Sequence, residues 1–140
     1  MSHSIKHLFH IASPREKVYE AISTIPGLSS WWTKQTSGDS KTGGAVNFGF
    51  GPVFVNRMKV TELKPNEWVK WECLGDAPEW VGTVFTFKLD ENEGKTRIRF
   101  EQANWKENGD FYAACNFSWG RYLVSLRNYC EKGKGDPFGA

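Results

Sequence analysis

From Ala45 to Gln102 the chain alternates apolar and polar residues with a period of two, in blocks broken by short turn signals. Successive side chains of a strand point to opposite faces, so this alternation sorts the residues into two sets. One set is Val46, Phe48 and Phe50, then Phe54, Asn56, Met58 and Val60, then Val69, Trp71 and Cys73. It continues with Thr83, Phe85, Phe87 and Leu89, then Ile98, Phe100 and Gln102. The other set holds Arg57, Lys59, Lys70, Glu72, Lys88, Arg97, Arg99 and Glu101. A sheet that is apolar on one side and wet on the other needs a cover. Short turns between the blocks favour an antiparallel meander. Its strands are expected over Ala45–Phe50, Val53–Leu63, Glu67–Cys73, Trp80–Leu89 and Lys95–Gln102.

The cover is expected from Asp110 to Lys132. Tyr112, Cys115, Trp119, Tyr122, Leu126 and Tyr129 recur at spacings of three and four, which marks one amphipathic helix. Gly133 follows a basic last turn, as helix C-termini prefer. Ahead of the meander, Ile5, His7, Phe9 and Ile11 alternate as a strand. Ser13-Pro14-Arg15-Glu16 then has the form of a capping box with proline at the first helical position. Val18, Ala21, Ile22 and Ile25 supply that helix with one apolar face, and Pro26-Gly27 is expected to break it. A short helical turn over Leu28–Trp32 and a polar loop over 33–44 should follow, and the tail Lys134–Ala140 should be loosely held.

A chain of 140 residues fits one domain, 1–140, with a core large enough to fold without disulfides or a structural metal. Three cysteines, Cys73, Cys115 and Cys130, without CxxC spacing argue for reduced thiols and a cytoplasmic location. The Met1–Ile11 segment lacks the apolar run of a signal peptide, and no segment is long and apolar enough to span a membrane. A net charge of +2 with scattered Lys and Arg gives no nucleic-acid surface.

The order of elements is strand, two short helices, antiparallel meander, long helix. With Ile11-Ala12-Ser13-Pro14 running into Val18-Tyr19-Glu20-Ala21-Ile22, this order resembles the helix-grip superfamily (START/Bet v 1-like, SRPBCC). Trp31-Trp32, Gly43-Gly44 and Trp119-Gly120-Arg121-Tyr122-Leu123 through Glu131-Lys132-Gly133 narrow the resemblance. They point to the bacterial family related to the activator of the Hsp90 ATPase. The resemblance implies an α+β helix-grip fold, in which a curved antiparallel sheet wraps around the long C-terminal helix. It also implies a cavity between sheet and helix for apolar molecules.

Other motifs fall away. Gly94-Lys95-Thr96 lacks the first glycine of a phosphate-binding loop and precedes a strand. Gly49-Phe50-Gly51 is a hairpin rather than a dinucleotide fingerprint, since Phe stands at position 54. His7 and His10 face opposite sides of one strand, so no metal site is expected, and no cofactor. No Ser-His-Asp or Cys-His-Asn arrangement can be drawn.

The candidate cavity residues are Trp32, Phe48, Phe54, Asn56, Met58, Trp71, Thr83, Phe85, Phe87, Phe100, Gln102, Tyr112, Cys115, Asn116 and Trp119. Periodicity places most of these inward, but it does not separate a lined cavity from a filled core. Asn56, Thr83, Gln102 and Asn116 either orient a ligand or satisfy one another. Either Trp31 or Trp32 could gate the cavity mouth or staple the helical turn to the sheet. Ala113, Phe117, Gly120 and Val124 form a second apolar stripe, suited to a homodimer or to cover by a loop or the C-terminal tail. The function expected first is binding of a small hydrophobic or aromatic molecule. A cyclase or aromatase-type enzyme using the same cavity comes second, and a co-chaperone or stress-response regulatory module third.

Overall fold

The computed structural model describes residues 2–52 and 54–140. The strand β1 (His3–Ile11) leads into the helices α1 (Arg15–Ser23) and α2 (Ile25–Trp31). The strands β2 (Gln35–Gly38), β3 (Ala45–Phe50), β4 (Phe54–Lys64), β5 (Trp68–Gly75), β6 (Val84–Asn92) and β7 (Lys95–Trp105) follow, and the helix α3 (Asp110–Lys132) comes last. The expected first residue of the second meander strand, Val53, lies outside the described residues. All seven strands form one sheet in the order β1-β7-β6-β5-β4-β3-β2, with antiparallel neighbours. This is the α+β helix-grip arrangement.

The two-residue period sets the faces as expected. Val46, Phe48, Met58, Val60, Val69, Trp71, Phe85, Phe87, Ile98 and Phe100 are almost wholly buried. Breaks in register between Arg57 and Met58 and between Val60 and Glu62 place bulges on the β4–β5 pair. Bulges bend and twist a sheet, which lets this one curl around α3. On the wet face, Arg97 makes two 2.8 Å hydrogen bonds to the Asp90 carboxylate across the β6–β7 hairpin. Those bonds, more than simple charge attraction, hold the Asp90 carboxyl below its ordinary range.

Several local readings are corrected. The capping box does not form. Ser13 gives its carbonyl to the Thr96 hydroxyl at 2.6 Å and its amide to Ile11 at 2.9 Å, so the chain is still tied to the sheet. The helix therefore starts one residue later, with Pro14 as its cap and no side-chain hydrogen bond. The break between α1 and α2 falls at Thr24, not at Pro26-Gly27. The Thr24 hydroxyl accepts the Gly27 amide at 3.0 Å, which leaves Pro26 in a first turn where its missing N–H costs nothing. The segment 33–44 contains the edge strand β2, which backbone pairing to β3 holds despite its polar sequence. The first part of the expected Trp80–Leu89 strand is a turn. Thr83 closes it, its hydroxyl donating to the Trp80 carbonyl at 2.7 Å.

The tail is not loose. The Phe138 amide donates to the Trp32 carbonyl at 2.9 Å, and its own carbonyl accepts from Lys34 at 3.0 Å. Ser125 Oγ donates to the Trp31 carbonyl at 2.8 Å and accepts the Asp136 amide at 2.6 Å. The helix α3 is also rolled slightly from the expected face. Leu123 and Cys130 are buried, while Tyr122 and Tyr129 are half-buried.

Glycine is required at position 27, where α2 crosses α1. A Cβ there would sit 2.6 Å from the Glu20 carbonyl oxygen and 2.7 Å from the Ala21 Cα. Both are backbone atoms that cannot swing aside. Gly27→Ala is expected to lower the unfolding free energy by about 1–3 kcal/mol, the usual range for overpacking, as read by urea denaturation.

Candidate functional site

The centre of the gripped space is filled. Trp32, from the end of α2, lies with its ring centroid 4.2 Å from Phe48, 4.9 Å from Trp119 and 6.1 Å from the parallel ring of Trp71. Phe100 reaches Trp119 at 4.4 Å and Phe87 at 5.0 Å. Phe48, Met58, Trp71, Phe85, Phe87 and Phe100 are thus packed into a core and are not part of the wall of the cleft beside it. Trp31 is a staple, its indole N–H donating to the Ala21 carbonyl at 2.8 Å.

The polar residues on this face divide sharply. Gln102 is saturated at both ends, accepting from the Trp119 indole at 3.0 Å and donating to the Thr83 hydroxyl at 3.1 Å. Thr83 passes the chain on to the Trp80 carbonyl. Gln102 and Thr83 therefore engage each other inside the core, and neither lines the cleft. The Tyr112 hydroxyl donates to the Ser4 carbonyl at 2.7 Å. Asn116 is exposed, next in sequence to Cys115 but off the buried face of α3.

An apolar cleft of about 210 Å³ lies to one side of the packed core. Its floor is Trp32, Asn56, Ala77, Trp80, Cys115 and Trp119, all buried. Its rim is Phe50 and Phe54 from the β3–β4 hairpin, with Phe111, Ser118 and Tyr122 from α3. Trp32, Phe54, Asn56, Cys115 and Trp119 are the candidates from sequence that the structure brings together here. Sequence reasoning missed Ala77 and Trp80, because it read Trp80 as strand and left 74–79 outside the expected strands, and it missed Phe50, read only as an inward strand residue. It also missed Phe111, Ser118 and Tyr122 as walls. Phe111 and Ser118 lie off the expected buried stripe, while Tyr122 was counted only as helix core.

The electrostatics are those of a neutral site. Among the described residues, no Asp, Glu, Lys, Arg or His contributes to the wall. Burial pushes the Cys115 thiol above its ordinary range, with the neighbouring Trp80 indole opposing and Glu79 adding to the rise. Burial likewise raises the Tyr122 phenol. Both groups are protonated at neutral pH. The Trp80 indole N–H is buried without an oxygen or nitrogen acceptor. The Cys115 sulfur beside it is a weak acceptor at best. Asn56 is 3 % exposed, and its Oδ1 accepts the backbone amides of Asp76 and Ala77, both at 3.0 Å. It thereby holds the Asp76–Ala77 backbone in place, and with it the segment that supplies Ala77 and Trp80 to the floor. Elsewhere, His10 Nε2 lies 3.0 Å from Asn92 Nδ2, and no group of three or more metal-ligating side chains occurs among the described residues.

A family model described as Activator of Hsp90 ATPase homolog 1-like protein matches residues 12–131. The chain is similar to the Aha1 dimer from Colwellia psychrerythraea, at 38 % identity and a TM-score of 0.86, over 95 % of this chain and 99 % of that one. It shares its fold with CalU16 from Micromonospora echinospora, at 16 % identity and a TM-score of 0.78, over 95 % of this chain and 69 % of that one. It also shares its fold with BH1534 from Bacillus halodurans, at 23 % identity and a TM-score of 0.75, covering 92 % and 97 % of the two chains. No curated protein matches the chain significantly. Among the described residues, no helix is long and apolar enough to cross a membrane.

The Gln102 chain has a measurable consequence. Gln102→Leu keeps the volume but strands the buried Trp119 N–H, at a cost of about 1–3 kcal/mol. Chemical denaturation should show that loss, while the Trp119 indole resonance moves in the NMR spectrum.

Proposed function

The chain belongs to the Activator of Hsp90 ATPase homolog 1-like family, and on that premise we propose that it binds one small hydrophobic or aromatic molecule in the cleft beside Trp119. The carrying observation is the composition of the wall. Aromatic rings line most of it, ionic groups are absent, and the rim opens between the β3–β4 hairpin and the first half of α3. Apolar surface leaving water is the driving force, at roughly 25 cal/mol per Å². A ligand of one or two rings buries too little to offset much more than its lost freedom, so the dissociation constant should lie at roughly 10–1000 µM. The wall offers no general base at neutral pH, and Cys115 is a protonated thiol, so the geometry favours holding a molecule over transforming it.

A second reading, self-association, has its own observation. Phe117 is 82 % exposed and Val124 44 % exposed on the outer side of α3. Leu8 of β1, 62 % exposed, borders the same groove as Gly120 and Val124. A helix face this apolar and this bare suits a partner. The 38 %-identical Colwellia protein is a dimer, which supports a second copy as that partner. Gly120, without a side chain, would let two such helices approach closely.

Two outcomes are expected. Titrated naphthalene should quench Trp fluorescence saturably in the wild type. Cys115→Phe, which fills the cleft, should abolish that quenching while unfolding remains cooperative. Phe117→Asp should convert a dimer into a monomer by light scattering at micromolar concentration, and a monomeric wild type would defeat the second reading.

A further inference from the structure

Resting on the binding reading above, we infer that the cleft selects an uncharged ring system bearing a hydrogen-bond-accepting oxygen, and that Asn56 holds that oxygen. Two backbone N–H groups, from Asp76 and Ala77, converge on one end of the Asn56 side chain at 3.0 Å each. Two donors can only meet the oxygen of an amide, so the orientation of the group is fixed. Its Nδ2 end then points away from that segment and has no acceptor among the described residues, yet it is not one of the fully enclosed unpaired atoms, so it keeps access to the cleft. Asn56 is nevertheless 3 % exposed and forms part of the cleft floor. A donor at the edge of an aromatic wall is satisfied only by water or by a ligand that accepts from it, and a ligand that expels the water without accepting leaves it unpaired.

The other polar groups of the wall agree. The Ser118 and Tyr122 hydroxyls at the rim can donate, and burial keeps the Tyr122 phenol protonated. No cation faces the cleft, so a carboxylate or phosphate would lose its hydration without a counter-charge. A long acyl chain does not fit. At about 210 Å³ the space suits a bicyclic ring, given that a cavity of about 150 Å³ takes benzene. An oxygen accepting from Nδ2 also polarises the amide and strengthens its grip on the Asp76 and Ala77 amides. Binding is thereby coupled to the order of the 75–83 segment.

The test titrates three probes, 1-tetralone, naphthalene and 1-naphthoate, into the wild type and Asn56→Asp, followed by two-dimensional NMR. Asn56→Asp keeps the acceptor that holds the segment and removes the donor. The expected result is a loss of about tenfold in 1-tetralone affinity, with naphthalene changed by less than about twofold. In the wild type, 1-tetralone should also move the Asn56 side-chain NH₂ resonances and slow exchange of the Ala77 amide, and naphthalene should do neither. That second readout decides the matter if Asn56→Asp fails to fold. Equal losses for both neutral probes, unmoved Asn56 resonances, or tighter binding of 1-naphthoate than of 1-tetralone would overturn the inference. Naphthalene binding would then still uphold the broader reading. Failure of all three probes to bind the wild type would overturn that reading as well.

Discussion

The indole of Trp32 is the contact on which the rest of the interior depends. It comes from the end of a two-turn helix, yet it touches Phe48 and Trp71 of the sheet and Trp119 of the long helix. Trp31, nearly parallel to it at 6.0 Å, ties the same helix to α1. The Trp31–Trp32 pair therefore joins the sheet, all three helices and the docked tail, whose Phe138 amide donates to the Trp32 backbone carbonyl. Rings at these separations attract one another beyond simple burial. Because Trp32 occupies the middle of the grip, the opening is displaced toward the β3–β4 hairpin and the start of α3.

That displacement explains how far the sequence could be read. The faces of the strands were legible because pleating is a local property of the backbone. Phe85, Phe87 and Phe100 had to point inward wherever the sheet went. The limits of α3 were legible for the same reason, a period ending at a glycine. Whether an inward ring packs against another ring or faces a void depends on its position along the sheet, which period does not encode. So Phe48 and Trp71 looked the same in sequence as Phe54, although the first two are core and the third is rim. Long-range backbone partners were equally invisible. β2 is polar and exists through pairing with β3, and the tail is held by Ser125 and Trp32, far away in sequence. The Ser13 capping box failed through the same kind of competition, from a threonine on β7.

The two inward amides carry the sharper lesson. Asn56 and Gln102 both interrupt apolar strands and both lie below 4 % exposure. Gln102 sits between an indole donor and a threonine oxygen, so both ends of its amide are used inside the core. Asn56 meets two donors at one end and nothing at the other among the described residues. A buried amide engaged at both ends specifies packing. One that is half-paired leaves a valence open, and where it borders a cleft that valence is available to a ligand. The distinction lies in the partners, not in residue type or burial, which is why it appears only once the neighbours are placed.

The outer side of α3 follows a related logic at larger scale. The helix must present Cys115, Trp119, Leu123, Leu126 and Cys130 to the sheet, and that stripe uses up its inner face. Helical geometry then forces Phe117 and Val124 to the far side, seven residues apart on one line. The tail does not reach them, because Ser125, Trp32 and Lys34 fix it at the other flank of the helix. A phenyl ring left bare by this arrangement adds nothing to the fold that a polar residue would not. Nothing within the chain covers it among the described residues, which is why the second-copy reading proposed above rests on this face, and the 38 %-identical Colwellia relative is itself a dimer.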